Sequence, residues 1–378
     1  MRKGWTYRKL GEITEYPNRR LKIDQLGPNS FVGVEQLIKD RGGVMFSDAA
    51  PTAESVIAYQ CNDILIGNIR PYLRKIWLAN RAGGASGDIV IIRIREDYTK
   101  ILDAQYLYKA LSSEQFFDFD NANTKGAKMP RGDRAAIAKY PIPVPPLAEQ
   151  ERIVAELDLL QGIIDKQKAQ LKELETLAQS IFYDMFGDPV ENDKGWEVKR
   201  LDNVGEIVSG STPSTADDSN WDGNVNWVTP AELGTQLYYG ATQRKITANA
   251  AARLTLMPVG TVLLSSRAPI GQLAITSVPM CCNQGFKNII CNESINNVFL
   301  YFYLMLTMAN VQALGRGATF KEVSKQAISA YKTILPPLTL QQAFATKIEA
   351  IERQKASINA SIAETQKLFD YTMDKYFG

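Results

Sequence analysis

The sequence PPLAEQERIVAELDLLQGIIDKQKAQLKELETLAQSIFYDMFG, residues 145–187, returns in altered form as PPLTLQQAFATKIEAIERQKASINASIAETQKLFDYTMDKYFG at residues 336–378. Each stretch begins with Pro-Pro-Leu and ends with Phe-Gly, and corresponding residues at both ends lie 191 positions apart. A constant offset across a whole stretch indicates that one unit of chain occurs twice.

Both stretches carry the apolar pattern of long helices. In the first, apolar residues alternate at spacings of three and four from Ile153 to Ile181, and in the second from Phe344 to Phe369. Such heptad seams are typical of helices that bury each other as a coiled coil. We therefore predict two long helices that pack together, each on the order of 50 Å in length.

A polar residue interrupts each seam, Gln167 in the first helix and Lys355 in the second. A polar side chain that faces an apolar one across a seam is costly, so these two residues are expected to meet as one polar layer. The antiparallel register that brings them together also places small Ala178 opposite large Phe344. It would put two globular domains at opposite ends of a rod. The simpler alternative is two unrelated helices, each packed on its own domain.

The segments before the two helices also repeat. Asp63–Ile66 and Thr261–Leu264 are apolar runs typical of buried strands, and each leads into a turn that carries arginine. Because strand and helix patterns are interspersed, the predicted fold class is α+β (mixed), with two similar globular α/β domains separated by two long antiparallel helices in a pseudo-twofold internal repeat. The predicted limits are 1–146 and 187–337 for the globular domains, and 147–186 and 338–378 for the helices.

The composition excludes several kinds of function. The 378 residues include no histidine, which removes Ser-His-Asp triads and histidine-zinc sites. A net charge of +2 excludes a uniformly basic nucleic-acid surface but allows local basic faces. The four cysteines show no Cys-x-x-Cys spacing and no segment is apolar enough to span a membrane, so a cytoplasmic protein without a zinc site is expected. Neither a P-loop nor an Asn-Pro-Pro-Tyr methyltransferase motif is present.

The residues around the start of each helix are similar to those of a known family. Tyr140–Gln150 reads YPIPVPPLAEQ, and Ile334–Gln342 reads ILPPLTLQQ, with Leu340 where a glutamate is expected. A chain in which this pattern occurs twice resembles the specificity subunits of type I restriction-modification systems. The resemblance extends over essentially the whole chain.

The resemblance implies a non-catalytic subunit. The two globular domains would be target recognition domains, each of which binds one half of a bipartite, asymmetric double-stranded DNA target. The helices would set the spacing and dock DNA methyltransferase (modification) subunits, two of them expected, and through these the restriction/translocase subunits. S-adenosylmethionine, ATP and Mg would belong to those partners, with no cofactor and no metal in this chain.

Basic and amide side chains in the matched stretches are the candidate DNA contacts. Arginine can bond a guanine edge twice and an amide can do so for adenine, whereas clustered cations suit phosphates. In and near the turns the candidates are Arg70, Arg74 and Lys75 in the first copy, and Ser266, Arg267, Gln272 and Gln284 in the second. Before the helices they are Lys125, Lys128 and Arg131 in the first copy, and Arg316 and Lys321 in the second. The loops that differ between copies, residues 18–20 and 209–221, are candidate base readers. Solvated surface charges are the plain alternative for both patches.

Three other functions fit parts of the sequence. The chain would have the same role in a related system whose nuclease and methyltransferase are fused in the partner. Asp188, Glu197 and Lys199 could imitate the site of a stand-alone metal-dependent nuclease, although the first copy has Thr6 and Arg8 at the last two positions. A tandem adaptor that binds only protein is the third, and it predicts no salt-dependent affinity for DNA.

Overall fold

The structure, a computed structural model, describes residues 5–46, 53–126, 128–267, 269–315 and 321–378. The chain forms two compact units. The first unit consists of residues 1–167 and 361–378, and the second of residues 168–360. Each unit therefore contains a globular part together with a segment of each long helix.

The first unit alternates short strands and helices. Its strands are β1 (Thr6–Lys9), β2 (Thr14–Glu15), β3 (Arg20–Lys22), β4 (Phe31–Val32), β5 (Ser55–Tyr59), β6 (Ile64–Gly67), β7 (Ile76–Leu78), β8 (Gly83–Ala85), β9 (Ile89–Ile94) and β10 (Pro141–Val144). Its helices are α1 (Leu10–Ile13), α2 (Ala104–Leu111), α3 (Glu114–Ala122), α4 (Arg134–Ile137), the first half of α5 (Leu147–Phe186) and the end of α11 (Leu338–Phe377). The strands form sheets of order β2-β9-β6-β7 and β3-β5-β8-β4, and a separate pair β1-β10.

The central strands β6 and β9 are buried on both faces because apolar residues occupy successive positions. Alternate residues of a strand point to opposite faces of the sheet. Ile64 and Ile66 accordingly belong to the core that includes residues of α2 and α3, whereas Leu65 belongs to a second core shared with β4, β5 and β8. The β2-β9-β6-β7 sheet thus lies between two apolar layers.

The second unit repeats this arrangement with its described strands divided differently among the sheets. Its strands are β11 (Glu197–Arg200), β12 (Gly205–Ser209), β13 (Trp221–Val228), β14 (Tyr238–Tyr239), β15 (Arg244–Ile246), β16 (Val262–Leu264), β17 (Leu273–Thr276), β18 (Met280–Cys282), β19 (Lys287–Cys291) and β20 (Lys332–Leu335). Its helices are the second half of α5, α6 (Leu201–Val204), α7 (Ala248–Ala251), α8 (Asn297–Leu306), α9 (Met308–Ala313), α10 (Lys325–Ala330) and the first half of α11. The sheets have the orders β12-β19-β16-β17-β14, β15-β13-β18 and β11-β20. Val262 and Leu264 face one core and Leu263 the other, as in β6.

The strand pair that closes each unit shows the repeat most directly. β1 pairs with β10 and β11 with β20, both antiparallel, with Thr6 opposite Val144 and Glu197 opposite Leu335. Both partners are displaced by the same 191 positions, so the register of the pair is identical in the two units. The internal repeat predicted from the sequence is confirmed.

A buried glutamine explains the shared residues at the start of each long helix. Gln150 Nε2 donates to the carbonyls of Pro145 (2.7 Å) and Ile101 (2.8 Å), and its Oε1 accepts from the Asp103 amide at 2.8 Å. The matching Gln341 makes equivalent hydrogen bonds in the second unit, with the Pro336 carbonyl at 2.7 Å and the Asn296 amide at 2.8 Å. Asp103 and Asn296 are the N-caps of α2 and α8. The motif therefore ties each long helix to the globular part beside it.

Helices α5 and α11 have 40 residues each; α5 has the predicted limits, and α11 ends at Phe377, one residue before its predicted limit. In the first unit the start of α5 meets the end of α11, where Arg152 Nη2 donates to Tyr376 Oη at 2.9 Å. In the second unit the end of α5 meets the start of α11, where the Phe182 and Phe344 rings lie 5.6 Å apart. The two contacts confirm the antiparallel direction. Among the described residues, no helix is long and apolar enough to cross a membrane.

The predicted register of the helices is wrong. Gln167 Nε2 donates to Ser361 Oγ at 2.7 Å, and Lys355 Nζ pairs with Glu352 of its own helix at 2.9 Å, so the Gln167–Lys355 polar layer does not form. Phe344 likewise packs on rings four and eight residues beyond Ala178, its predicted partner. The physical reason is that packing the buried aromatic rings contributes more to stability than one polar layer would. Lys355 does not need Gln167 as a partner, because its charge is paired with Glu352 on the same helix.

Candidate nucleic-acid interface

The turn that follows β6 is the centre of the candidate interface in the first unit. Arg70 and Arg74, on either side of a 3₁₀ turn at residues 71–73, adopt φ of +53° and +50°. These left-handed conformations are costly for residues with a side chain and persist only where the surroundings hold them. The surroundings here are backbone hydrogen bonds from Arg70 N to Pro130 O (2.8 Å) and from Gly132 N to Asn68 O (3.0 Å).

The contact in the first unit joins the turn to the pre-helix segment, the stretch before the long helix that includes residues 128–132. The second unit has a similar contact between its own turn and its own pre-helix segment, which includes residues 321–323. Val323 N donates to Ser266 O at 2.9 Å, as Gly132 N does to Asn68 O in the first unit. Ser266 N in turn donates to Gly285 O, before β19, at 2.7 Å. Arg267 forms an isolated bridge with Glu322, as Ile69 does with Arg131 in the first unit. In each unit, therefore, the turn and the segment that the sequence marked as two separate patches lie against each other.

The loops that differ between the copies begin at this same sheet edge. Ser209, the last residue of β12, lies opposite Lys287, beside the bridge between Ser265 and Phe286 at the base of the turn. In the first unit Tyr16, just after β2, donates through its hydroxyl to Arg134 O at 2.9 Å. The loops at residues 18–20 and 209–221 thus leave the sheet next to the arginine-bearing turns.

The cations of the first unit's turn differ in how they are paired. Arg70 is exposed, and no described residue forms an ion pair or side-chain hydrogen bond with it. Arg74 pairs with Glu114 at 2.8 Å, and the same carboxylate holds Arg41 at 3.0 Å. Lys75 donates its ammonium group to the Val34 carbonyl at 2.6 Å. Arg70 is therefore the turn cation most available to a ligand.

The pre-helix segment of the first unit carries two paired cations and one unpaired cation. Lys125 pairs with Asp133 at 2.6 Å, and this hydrogen bond holds the pKa of the Asp133 carboxyl below its usual range. Arg131 pairs with Asp88 at 3.1 Å. Lys128 is exposed and has no ion-pair partner among the described residues. These exposed pairs contribute at most about 1 kcal/mol each, so a phosphate can replace the carboxylate at small cost.

In the second unit, one position of the pre-helix segment carries a negative charge where the first unit has a positive one. Glu322 occupies the position of Arg131, 191 residues on, and pairs with Arg267 at 3.0 Å and with Lys287 at 3.5 Å. Lys287 is 7% exposed, and its ammonium group also lies 3.4 Å from the Ser266 hydroxyl. Lys321 is exposed without an ion-pair partner among the described residues. Arg316 lies outside the described residues.

The three uncharged candidates have different surroundings. Ser266 is 1% exposed and its hydroxyl donates to Gly285 O at 3.1 Å, so it serves the turn itself. Gln272 Oε1 is buried without a hydrogen-bond partner among the described residues. Gln284 is exposed and its Oε1 accepts from Thr212 Oγ1 at 2.6 Å, which joins it to the 209–221 loop. The contacts of these residues with DNA remain predictions.

Sequence reasoning missed two arginines. Arg41, at φ +62°, donates from Nε to the Ser112 carbonyl at 2.5 Å and lies over the Phe117 ring at 5.4 Å. Arg244 lies over the Trp221 ring at 3.6 Å and 5.6 Å from the centroid of the Trp227 ring, in the small sheet of the second unit. No motif marks either position, because their partners lie far away in the sequence. Only the Arg-Lys pair at the start of β15 offered a local signal.

The residues of the nuclease alternative have local roles. Asp188 Oδ1 accepts from the amides of Val190 (2.7 Å) and Glu191 (3.1 Å), which closes a turn. Glu197 pairs with Lys199 along β11 at 3.3 Å. In the part of the chain that the structure describes, no group of three acidic, cysteine or histidine residues is arranged to hold a metal ion. The geometry offers no support for a nuclease site here.

Two segments match one protein family. Residues 2–176 and 193–366 each fit the family model described as the type I restriction modification DNA specificity domain. The chain belongs to this family. The family resemblance predicted from the sequence is thereby confirmed, and the two matched segments agree with the repeat.

Several curated proteins of this specificity family are similar to the chain. It is 36% identical over 172 residues to the type I restriction enzyme MjaIX specificity subunit of Methanocaldococcus jannaschii, which covers 43% of this chain and 40% of the relative. The putative MjaX specificity subunit of the same organism is 28% identical over 69% of this chain and 64% of its own. The MjaVIII specificity subunit is 24% identical over 92% and 86%. The matches thus span less than two thirds of the first two relatives.

Solved structures related to the family show the same fold. A chain from work on complex assembly and conformational transition of the type I R-M system aligns with a TM-score of 0.61 at 22% identity, over 100% of this chain and 98% of its own. The type I restriction-modification S subunit from M. genitalium aligns with a TM-score of 0.56 at 14% identity, over 99% and 96%. The predicted mixed α and β fold with two repeats is confirmed.

Proposed function

We propose that this chain is the DNA sequence-recognition subunit of a type I restriction-modification complex. One observation carries the proposal: in each unit, the turn after the central strand and the segment before the long helix are joined by backbone hydrogen bonds into one edge. The loop that differs between the copies leaves the sheet at this edge. Two such edges in one chain fit a DNA target in two parts, and family membership supports the same role.

Each edge would combine base and phosphate contacts. Arg70 and Arg267 would contact base edges in the major groove, where arginine can bond guanine O6 and N7 together. Lys128 and Lys321, both exposed and unpaired among the described residues, would neutralise phosphates and set position without reading sequence. To contact a base, Arg267 must give up its ion pair with Glu322 or bond both the carboxylate and the base. Breaking an exposed ion pair of this kind costs only about 0–1 kcal/mol.

The proposal assigns chemistry to other subunits. Helices α5 and α11 would dock DNA methyltransferase subunits, two per chain, and through them restriction and translocase subunits. S-adenosylmethionine, ATP and Mg would be bound by those partners, and this chain would act without catalysis of its own in the cytoplasm. The similarity to curated specificity subunits supports this assignment.

Methylome sequencing tests the proposed function. Cells that carry the gene should show a split, asymmetric, adenine-methylated motif that disappears when the gene is deleted and returns with the wild-type chain. A genome whose methylation is identical with and without the gene, while the partner subunits are expressed, would overturn the proposal.

Single arginine changes test the division of labour between the units. In the same cells, Arg70→Ala should weaken or relax one half of the motif and Arg267→Ala the other, each on the order of 10- to 100-fold in site discrimination, as expected for a bidentate base contact. Arg95 provides a matched control, because it is exposed and follows the end of β9 that lies farthest from the turn. Equal loss at both half-sites from Arg70→Ala would contradict independent reading by two units.

A further inference from the structure

The small sheet of the second unit presents an arginine on a platform of two tryptophans. Arg244 begins β15, an edge strand, and is the cross-strand neighbour of Trp227. Its guanidinium carbon lies 3.6 Å from the centroid of the Trp221 ring and 5.6 Å from that of Trp227. Arg244 is exposed, and none of the described residues forms an ion pair or hydrogen bond with its guanidinium group. The guanidinium group is thus held by stacking alone.

The platform beneath this arginine is rigid. Trp221 and Trp227 are 9% and 3% exposed, and their rings meet edge to face at a centroid distance of 5.2 Å. Each indole N–H donates to a loop carbonyl at 3.1 Å, Trp221 to Ser214 O and Trp227 to Ser211 O. With ring positions set by both packing and hydrogen bonds, a guanidinium stacked on them loses little further freedom on binding.

The same two tryptophans connect Arg244 to the candidate interface. They hold the 209–221 loop, whose Thr212 bonds Gln284 at 2.6 Å. Gln284 is followed by Gly285, the residue that accepts the Ser266 amide of the turn. Hydrogen bonds, linked through chain neighbours, therefore connect the arginine-bearing turn through the variable loop to the tryptophans.

In the first unit Arg41 lies over the Phe117 ring and Arg81 over the Phe46 ring, but each also has a polar side-chain partner, Glu114 or Asn80. Among the described residues, an arginine held over two tryptophans by stacking alone belongs to the second unit. Phe31 of β4 corresponds to Trp227, because Ser86 N bonds Val32 O as Asn283 N bonds Val228 O. β4, however, has only β8 as a neighbour, so no described strand takes the place of β15. A feature present in one reading unit and absent from the other is suited to a difference in sequence preference.

We propose that Arg244 is a specificity-determining residue that bonds a guanine in the half-site read by the second unit. A guanidinium stacked by its face leaves its N–H edge free in a fixed plane, which is the geometry that bidentate bonding to guanine O6 and N7 requires. A phosphate contact needs only a charge and would gain little from the platform. This inference rests on the proposed DNA-reading function and adds one residue and one base to it.

Affinity measurements on the assembled complex test the inference. Once the wild-type motif is known, each base pair of the second half-site is replaced in turn, and the loss of affinity is measured for wild type and for Arg244→Lys. One G·C pair should cost the wild type on the order of 10- to 100-fold and cost R244K about the same as an uncontacted position. For each protein, the affinity for a substituted duplex is divided by its affinity for the intact motif, so that a general loss of affinity in the variant cancels.

Matched variants make the result interpretable. Lys245→Gln removes the neighbouring exposed cation and should weaken all duplexes alike, with the G·C penalty unchanged. If R244K fails to fold in a melting experiment, Arg244→Gln is measured in the same way. The inference about Arg244 is overturned, and the proposed function kept, if the wild-type complex binds its split motif and the Arg244 variants lose as much affinity as wild type at every substituted base pair. A wild-type complex without any split motif would instead overturn the proposed function.

Discussion

Buried Asp120, close to the pre-helix segment of the first unit, allows a quantitative test of the packing around the candidate interface. The residue lies on α3 and is 1% exposed, and neither carboxylate oxygen has a hydrogen-bond partner among the described residues. Asn68 Oδ1 is buried without a partner as well, and a Cβ added at Gly132 would lie 2.6 Å from Asp120 Oδ1 and 2.9 Å from Asn68 Oδ1. Because water cannot solvate the carboxylate there, burial raises the pKa of Asp120 to about 6.

The size and sign of the effect on stability follow from this pKa. The rise from the ordinary 3.8 to about 6 is roughly two units, each worth about 1.4 kcal/mol, so ionised Asp120 costs the folded state about 3 kcal/mol. Below pH 4 both states are protonated and the cost is absent. Between pH 4 and 6 the unfolded chain ionises first, so stability falls as pH rises. Asp120→Asn should therefore raise the free energy of unfolding by about 2–3 kcal/mol at pH 8 and by little at pH 4.

Urea denaturation of the full chain at the two pH values measures the effect. Asp118→Asn is the matched control, because Asp118 is exposed on the same helix. The difference between the two variants, compared between pH 8 and pH 4, isolates the buried carboxyl from all other titrating groups. If both variants change stability equally at pH 8, Asp120 is solvated or paired in the folded protein, and the reasoning is refuted.

Two further changes test the packing that supports the interface. Gln150→Ala removes the three hydrogen bonds of a buried side chain and should lower the free energy of unfolding by on the order of 2–4 kcal/mol. Gln170→Ala, on the exposed face of α5, is the control and should change it little. Equal urea midpoints for the two variants would contradict the role of Gln150 in joining α5 to the globular part. Phe344→Ala removes a fully buried ring that meets those of Phe182 and Phe186, and it should cost about 3–5 kcal/mol in the same assay. Leu368→Ala, at a position 52% exposed, is its control, and a comparable loss there would contradict the aromatic cluster.

The two units combine one scaffold with different charges. One backbone hydrogen bond between turn and pre-helix segment and one isolated bridge occur in both units, so the shape of the edge is kept. The charges on it are not, because Glu322 replaces Arg131 and a buried lysine, Lys287, lies beneath the second turn. Asp120 has Val311 at the corresponding position, 191 residues on. Different electrostatic surroundings on one backbone frame would let each unit select its own bases.

The sequence by itself determined the repeat, the bounds of both long helices and the central strands. These features follow from local patterns: heptad spacing over 40 residues for α5 and α11, and unbroken apolar runs for β6 and β9. It also marked the turns and pre-helix segments as basic. Their hydrogen-bonded contact could not be deduced, because it joins Arg70 to Pro130 across a stretch of chain whose path depends on the whole sheet.

Only the tertiary structure decided the register of the helices and the availability of each arginine. Gln167 meets Ser361 because aromatic rings far along both helices must share one core, a constraint that no single seam contains. Arg74 is held by Glu114, while Arg70 has no ion-pair partner in the part of the chain that the structure describes, although the two stand four residues apart in one turn. Charge and stacking partners are set by distance in space, and a pattern along the chain does not encode that distance directly.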